Sequence, residues 1–243
     1  MLPMSPQVFA ILSALVAEHA GLHFDQDHAS IFADKVAARA AGAGFDSLLD
    51  YYYFIRYDPG GRAELEALIE ALVIGETYLF RELGPLEVAV SEFIMPALAR
   101  GRRPRIWSSA CATGEEPHTL AMVLADRGVL DDVDIVASDI NRVSLARAQS
   151  GRYSARSVRG DVPAFGVPWL QVTDREITVS QRLTAAIDWR RVNLMDAAAV
   201  AELGTFDVIL CRNVLIYFDE PVAGGVVGRL TERLRRGGAL LVG

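Results

Sequence analysis

Hydrophobic positions recur at helical spacing through the first quarter of the chain. Phe9, Leu12, Leu15 and Val16 share one face, opened by Ser5-Pro6, a capping residue followed by a first-turn proline, and closed at Gly21. A second helix is expected over Asp27 to Ala41, with Ile31, Phe32 and Val36 inward and Gly42 as the stop. A third covers Asp46 to Arg56, and a fourth Arg62 to Ile74 on Leu65, Leu68, Ile69 and Leu72. Short connections between such helices predict a small bundle. Gly75 to Glu82 breaks the pattern by crowding aromatic, polar and charged residues ahead of another capped helix, Gly84-Pro85 to Gly101. It reads either as a linker or as a segment folded over a ligand pocket, with Thr77 and Arg81 donating to a polar group.

From Arg105 the period changes, and apolar strand runs alternate with helices, which implies a mostly parallel sheet. Ile106-Trp107 opens it and Val133 to Ser138 follows. Asn141 then caps a helix carrying Val143, Leu145 and Ala148, which stops at Gly151. Residues 152 to about 185 break the rhythm with Pro163, Gly166, Pro168 and Trp169. An alternating stretch around Ile177 and Val179 follows, so an inserted antiparallel excursion of two or three short strands is expected. Ile187 to Leu194 resumes the core sheet, and Phe206 to Cys211 is a fully buried strand. Asp219 and Pro221 start a helix ending at Gly237-Gly238, and Ala239 to Val242 is the fifth core strand. The expected organisation is a helical domain over 1–75, a linker segment and helix over 76–104, and an α/β domain over 105–243.

The chemistry concentrates between Arg105 and Asp139. Small residues, Ala110-Cys111-Ala112-Thr113-Gly114, join the first strand to a helix that opens with Glu115-Glu116-Pro117, and Asp139 ends the second strand. In doubly wound folds such a loop lets backbone approach a nucleoside, and the acid takes the ribose hydroxyls. A pyrophosphate at this helix start would meet two carboxylates, which argues against NAD or FAD. A nucleoside with a cationic, amino-acid-like tail, as in S-adenosylmethionine, fits better. The loop alone leaves open that the glutamates only complement the helix dipole.

Composition narrows the classes. The 243 residues are 51% hydrophobic, enough for one large or two small cores. A net charge of −7 disfavours nonspecific nucleic-acid binding. No apolar run approaches the roughly 18 residues of a membrane span, and no signal peptide is expected. Two cysteines make no disulfide framework and suit a reducing cytoplasm. His19, His23, His28 and His118 are scattered, so no metal site is expected. No Ser/His/Asp constellation is present.

Three motifs in register carry a resemblance. Thr77–Glu82 (T-x-x-F-R-E), Ser109–Pro117 (S-A-C-A-T-G-E-E-P) and Cys211–Phe218 (C-R-N-V-L-I-Y-F) together resemble the chemotaxis receptor methyltransferases of CheR type, over nearly the whole chain. The resemblance implies an α/β fold: a Rossmann-like class I methyltransferase domain with a small inserted antiparallel β-subdomain, preceded by an all-α N-terminal domain. It implies S-adenosylmethionine as cofactor, S-adenosylhomocysteine as product, and glutamate side chains on cytoplasmic chemoreceptor helices as acceptors. The protein would act as a cytoplasmic monomer, without nucleic acid or membrane insertion. By position, Asp139 would hold the ribose, and Glu116 would lie near the methionyl ammonium or ribose, with Ala110 and Gly114 in the same loop. Thr77 and Arg81 would contact the methionyl carboxylate and catalytic centre, and Asn193 and Leu194 would bracket the adenine. Arg212 and Asn213 would line the pocket, and Tyr217 would face the reacting methyl. Arg81 and Tyr217 are the catalytic candidates. An ionised glutamate needs alignment and desolvation rather than a strong base.

The sequence departs from the family in four places. Gly75 stands where the family often has asparagine. Residues 1–75 hold ten acids against four bases, unlike the family's basic face. Val172–Glu176 is short and has no glycine, so no tethering by a receptor tail peptide is expected. The chain stops after Gly243, where the family continues into a closing hairpin. These departures keep alive a cofactor-binding regulatory module with little turnover, or a small carboxylic acid as acceptor. Cys111 and Cys211 are expected at neighbouring strand tips, as inert buried thiols rather than a redox pair.

Overall fold

The computed structural model describes residues 2–25 and 27–243. They form two compact units, one of the described residues up to Ile74 with Ile216–Ala223, the other of Gly75–Leu215 with Gly224–Gly243.

The first unit is a bundle of α1 (Pro6–Ala20), α2 (Ala29–Gly42), α3 (Leu48–Tyr57) and α4 (Gly61–Leu72). Ser5 Oγ accepts Val8 N–H at 3.2 Å, and Gly21 closes α1 at φ 73°, as the sequence pattern requires. Leu12, Val16, Phe32, Val36, Tyr51 and Leu68 are fully enclosed. Ile31, expected inward, is 55% exposed. Phe32 and Val36 set the buried stripe of α2, and one residue earlier lies about 100° around the helix. α2 stops at Gly42, and the left-handed turn after it is made by Gly44 at φ 86°. Ser47 caps α3, which begins at Leu48, two residues later than Asp46. Gly61 starts α4 because a Cβ there would lie 2.1 Å from the Phe54 carbonyl. Arg39 forks onto Glu64 at 2.6 Å through two nitrogens, and Tyr51 donates to the same carboxylate at 2.8 Å. Leu22 pairs with Phe218, and His23 N–H donates to the Tyr217 carbonyl at 2.9 Å. Tyr217 therefore packs within this unit, although the sequence reading groups it with 105–243.

The second unit holds a parallel sheet in the order β6-β2-β1-β7-β8. Its strands are β1 (Arg105–Ser109), β2 (Asp134–Asp139), β6 (Ile187–Arg191), β7 (Phe206–Cys211) and β8 (Leu234–Val242). All six residues of β7 are buried, and apart from Asp207 near its start the strand is apolar, as suits an interior strand of a parallel sheet. The chain moves outward from β1 through β2 to β6, then returns to β7 on the other side of β1. That switch point opens the crevice at the carboxyl ends of β1 and β7. Helices α5 (Leu83–Ala89) and α6 (Met95–Ala99) are joined by a π turn, Val90–Ile94, where Met95 N–H reaches Val90 O just ahead of Pro96. Helices α7 (Glu115–Asp126), α8 (Arg142–Ser150), α9 (Gln181–Ala185) and α10 (Ala197–Glu202) fill the crossovers. The inserted subdomain is a separate antiparallel sheet, β3-β5-β4, from β3 (Arg152–Ser154), β4 (Leu170–Val172) and β5 (Glu176–Val179).

The C-terminal segment departs from the pattern expected of its sequence. α11 (Glu220–Thr231) stops well before Gly237, which instead lies inside β8 at φ 80°, opposite a register shift between Phe206 and Val208. At Gly238 a Cβ would come within 2.7 Å of the Asp207 carbonyl. The two glycines make a bulge, not a helix end.

Candidate active site

The loop from β1 to α7 bends through left-handed backbone at Ala110 (φ 51°), Ala112 (φ 49°) and Gly114 (φ 91°). Five non-glycine residues among those described have positive φ: Phe80, Glu82, Ala110, Ala112 and Asn213. All five lie in or directly on the three motif segments, where strain marks a site held in place by its surroundings.

Those surroundings are specific. Cys111 N–H donates to Ser138 O at 2.9 Å, and Ala112 N–H to Asp139 Oδ2 at 2.8 Å. Asp139 Oδ1 also accepts Asn141 N–H at 2.8 Å, so this 4%-exposed carboxylate ties the loop to the tip of β2. Gly114, named with the loop as a cofactor contact, is buried. A Cβ there would meet Ala148 at 2.5 Å and Trp189 at 3.0 Å, so the glycine serves the packing of α7 on α8 and β6.

The two helix-opening glutamates point to different partners. Glu116 accepts from Ser108 Oγ at 2.7 Å and from Arg212 Nη1 at 2.9 Å. Arg212 Nη2 also donates to Glu82 Oε2 at 2.6 Å and to the Glu82 carbonyl at 3.3 Å. One buried guanidinium thus joins all three motifs. Burial pushes the Glu116 carboxyl up, against the opposing pull of Ser108 and Arg212. Glu115 is 2% exposed and accepts from Thr113 Oγ1 at 2.6 Å; burial raises its carboxyl too, opposed by Thr113 and the Ser157 hydroxyl. Service to the helix dipole does not account for either set of bonds.

The 75–82 segment is strapped down by its backbone and its aromatic side chains. Leu79 N–H donates to Ser157 O at 2.7 Å, and Phe80 N–H to Thr119 Oγ1 at 3.0 Å. Phe80 meets Phe165 edge-on at 5.9 Å, and a Cβ on Gly166 would strike its ring at 2.6 Å. Tyr78 has the Arg159 guanidinium 4.4 Å from its centroid and that of Arg81 at 5.6 Å. Arg81 itself donates to Glu76 O at 3.1 Å and keeps part of its side chain open. Thr77 is half-buried. Gly75 is exposed beside the loop, its Cβ direction 3.7 Å from Ala112 Cβ. Asn193 Oδ1 accepts Met195 N–H at 2.9 Å; Leu194 is 6% exposed, and its carbonyl accepts from Arg229 Nε at 3.0 Å. Asn213 lies two residues beyond the end of β7, at φ 57°.

Several participants were missed from the sequence. Glu82 lies inside a motif and could have been found there. Ser108 and Ser157 carry no local signal. Cys111 and Cys211 sit on and beside paired strands, both buried; burial raises both thiols, Cys211 to about 11. Among the described residues no group of three or more His, Cys, Asp or Glu could hold a metal ion.

The donor set suits a cationic nucleoside. Carboxylates at Glu116 and Asp139 gather around the loop, and the buried cation beside it, Arg212, is already paired with Glu82 and Glu116. A phosphate would find repulsion at this helix start.

Known proteins agree with this chemistry. Residues 75–243 match the family described as CheR methyltransferase, SAM binding domain, and residues 7–73 match CheR methyltransferase, all-alpha domain. Chemotaxis protein methyltransferase 2 of Vibrio cholerae is 32% identical over 92% of this chain and 79% of its own. The chemotaxis protein methyltransferase of Klebsiella aerogenes is 31% identical over 100% of this chain and 83% of its own. The probable biofilm formation methyltransferase WspC of Pseudomonas aeruginosa is 31% identical over 94% of this chain, which spans only 54% of that protein. The chain belongs to the CheR methyltransferase family, S-adenosylmethionine-dependent enzymes that esterify protein glutamates.

Proposed function

We propose that this protein methylates glutamate side chains on the cytoplasmic helices of chemoreceptor-like proteins, as a cytoplasmic monomer and without gripping a receptor tail peptide. The observation that carries the reading is the buried Arg212, which ties the enclosed Glu116, the exposed Glu82 and the end of β7 together. S-adenosylmethionine, when bound, supplies a sulfonium methyl. The chain supplies position. Asp139 holds the loop and faces the ribose; Ala110 leaves room for the ligand. Glu116 attracts the methionyl ammonium, and Thr77 donates to the carboxylate. Asn193 and Leu194 flank the adenine, with Asn213 beside the methionyl chain. Arg81, whose side chain is 28% exposed, orients the anionic acceptor. Tyr217 owes its assigned place facing the methyl to the Cys211–Phe218 motif alone. No general base is required, because the acceptor carboxylate is ionised at neutral pH.

Independence from a tail peptide is supported by the turn between β4 and β5. Thr173 N–H and Oγ1 both donate to Glu176 O, at 2.9 and 3.0 Å, and Glu176 N–H donates back to Thr173 Oγ1 at 3.1 Å. So tight a turn offers no loop to close on a peptide. No helix among the described residues is long and apolar enough to cross a membrane.

The test has two stages. Calorimetric titration with S-adenosylhomocysteine should detect binding to the wild type and its loss in Asp139→Ala. Receptor cytoplasmic fragments, with and without their last residues, should then acquire base-labile methyl, released as methanol at equal rates. Binding without methanol from any carboxylate acceptor would favour a regulatory module, a reading that Gly75 beside Ala112 also supports. Absence of binding by folded protein would refute both.

A further inference from the structure

Two buried side chains, Tyr153 and His118, and the half-buried Thr184 take no part in the chemistry above, yet they end on the cofactor loop. Tyr153 on β3 is 2% exposed, and its hydroxyl lies 2.7 Å from the Thr113 carbonyl. His118 on α7 is fully enclosed, with Nδ1 2.8 Å from the Tyr153 oxygen and Nε2 3.1 Å from Thr184 Oγ1 on α9. Counting hydrogens fixes the direction of the chain. A carbonyl can only accept, so the single Tyr153 hydrogen goes to Thr113 O. The Tyr153 oxygen must then accept from His118 Nδ1–H. A neutral ring leaves Nε2 bare, and it accepts from Thr184 Oγ1–H. Every site is satisfied in one arrangement only: Thr184 to His118 to Tyr153 to Thr113. Burial, which holds the imidazole's proton affinity down to about 3, keeps the ring in that neutral form.

We propose that Tyr153, His118 and Thr184 are positioning residues that set the cofactor loop from beneath, so that the inserted subdomain governs cofactor affinity. The inference rests on the assignment of 109–114 as the cofactor loop. Thr113 lies between two left-handed residues, Ala112 and Gly114, so the orientation of its carbonyl decides the path of the loop on both sides. Its hydroxyl is separately held by Glu115. The backbone is therefore pinned at Thr113 through one donor, Tyr153. Without it the loop spends less time in the binding geometry, and apparent affinity falls by that fraction. The amino group, sulfonium and acceptor see the same side chains once the cofactor is bound, so the methyl-transfer step is untouched.

The experiment uses the full chain and S-adenosylhomocysteine. Tyr153→Phe should weaken binding by roughly tenfold, raise KM for S-adenosylmethionine by the same factor, and leave kcat at saturating cofactor unchanged. His118→Leu should behave alike, whereas His118→Asn, whose amide can still donate to Tyr153, should recover most of the affinity. Nitrogen-15 spectra of the wild-type imidazole should show the Nδ1–H tautomer from pH 5 to 8, a reading that needs no variant to fold. Wild-type affinity in Tyr153→Phe, a fall in kcat with KM unchanged, or the Nε2–H tautomer would each overturn the inference. A wild type that binds no cofactor would sink the loop assignment as well, so the two failures are told apart.

Discussion

At the scale of single residues, Arg212 is where charge, burial and geometry meet. Its side chain is 4% exposed and spans two carboxylates, one of which, Glu116, is itself largely enclosed. Removing the guanidinium leaves Glu116 with Ser108 alone, while Glu82 can turn to water. Arg212→Ala should therefore cost about 2–4 kcal/mol in urea denaturation and abolish binding of S-adenosylhomocysteine. Arg212→Lys keeps a charge but not the fork, and should fold while losing about 10–100-fold in affinity. Equal affinity in the lysine variant would mean that charge, not shape, is what the site needs. His118 makes a different prediction. Its unfolded form takes a proton near pH 6.5 and its folded form near pH 3. Between those values the unfolded chain binds more protons, so stability falls as pH drops, by at most about 1.4 kcal/mol per pH unit. His118→Asn should flatten the slope of stability against pH in that window; an unchanged slope would assign acid sensitivity elsewhere.

At the scale of elements, the sheet is fastened at the end opposite the loop. Asp207, at the start of β7, accepts from Arg102 Nη1 at 2.8 Å, Arg235 Nη1 at 2.8 Å and Arg105 N–H at 2.9 Å. Burial alone would raise its carboxyl, but the Arg105 amide and the two guanidinium groups prevail and hold it below the ordinary value. Such a depressed carboxyl adds stability above its unfolded value of about 3.9 and loses it as acid protonates the folded form. Asp207→Asn should lower unfolding stability by about 2–4 kcal/mol at pH 7, a gap that narrows toward pH 3; a constant gap would point to shape rather than charge. Gly238→Ala should cost about 1–3 kcal/mol, because its Cβ meets the Asp207 carbonyl. These features also mark what the sequence could and could not carry. Four bundle helices, the switch to a parallel sheet and three motif segments were legible, since each is written in local period or spacing. The bulge at Gly237-Gly238 was not, because two glycines end a helix or kink a strand with equal ease until the partner strand is known. Ile31 turned outward for a similar reason: its neighbours' contacts, not its own hydropathy, set the buried stripe. Tyr153 reaches Thr113 across 40 residues, a distance over which no period speaks.

At the scale of the molecule, charge is divided unevenly along the chain. Residues 1–75 carry ten acids and four bases, while residues 142–191 carry nine arginines and four acids. Several of those arginines are committed: Arg152 to Glu176, Arg159 to Glu76, Arg182 to Asp131 and Arg190 to Asp188. Arg156 and Arg175 are exposed, and Ala155 N–H to Arg175 O links their neighbourhoods at 3.2 Å. An acidic acceptor helix would be repelled by the bundle's charge and attracted by these two. Arg156→Glu with Arg175→Glu should therefore lower kcat/KM for an acidic receptor fragment by about tenfold at low salt, an effect of like charges within a Debye length. Affinity for S-adenosylhomocysteine should not change, since neither residue touches the loop. At about 0.3 M salt the penalty should shrink to a few-fold as screening shortens. A penalty that ignores salt would mean the substitutions deform the subdomain. No penalty at any salt would place the acceptor on another face and leave the acidic bundle as the surface that selects it.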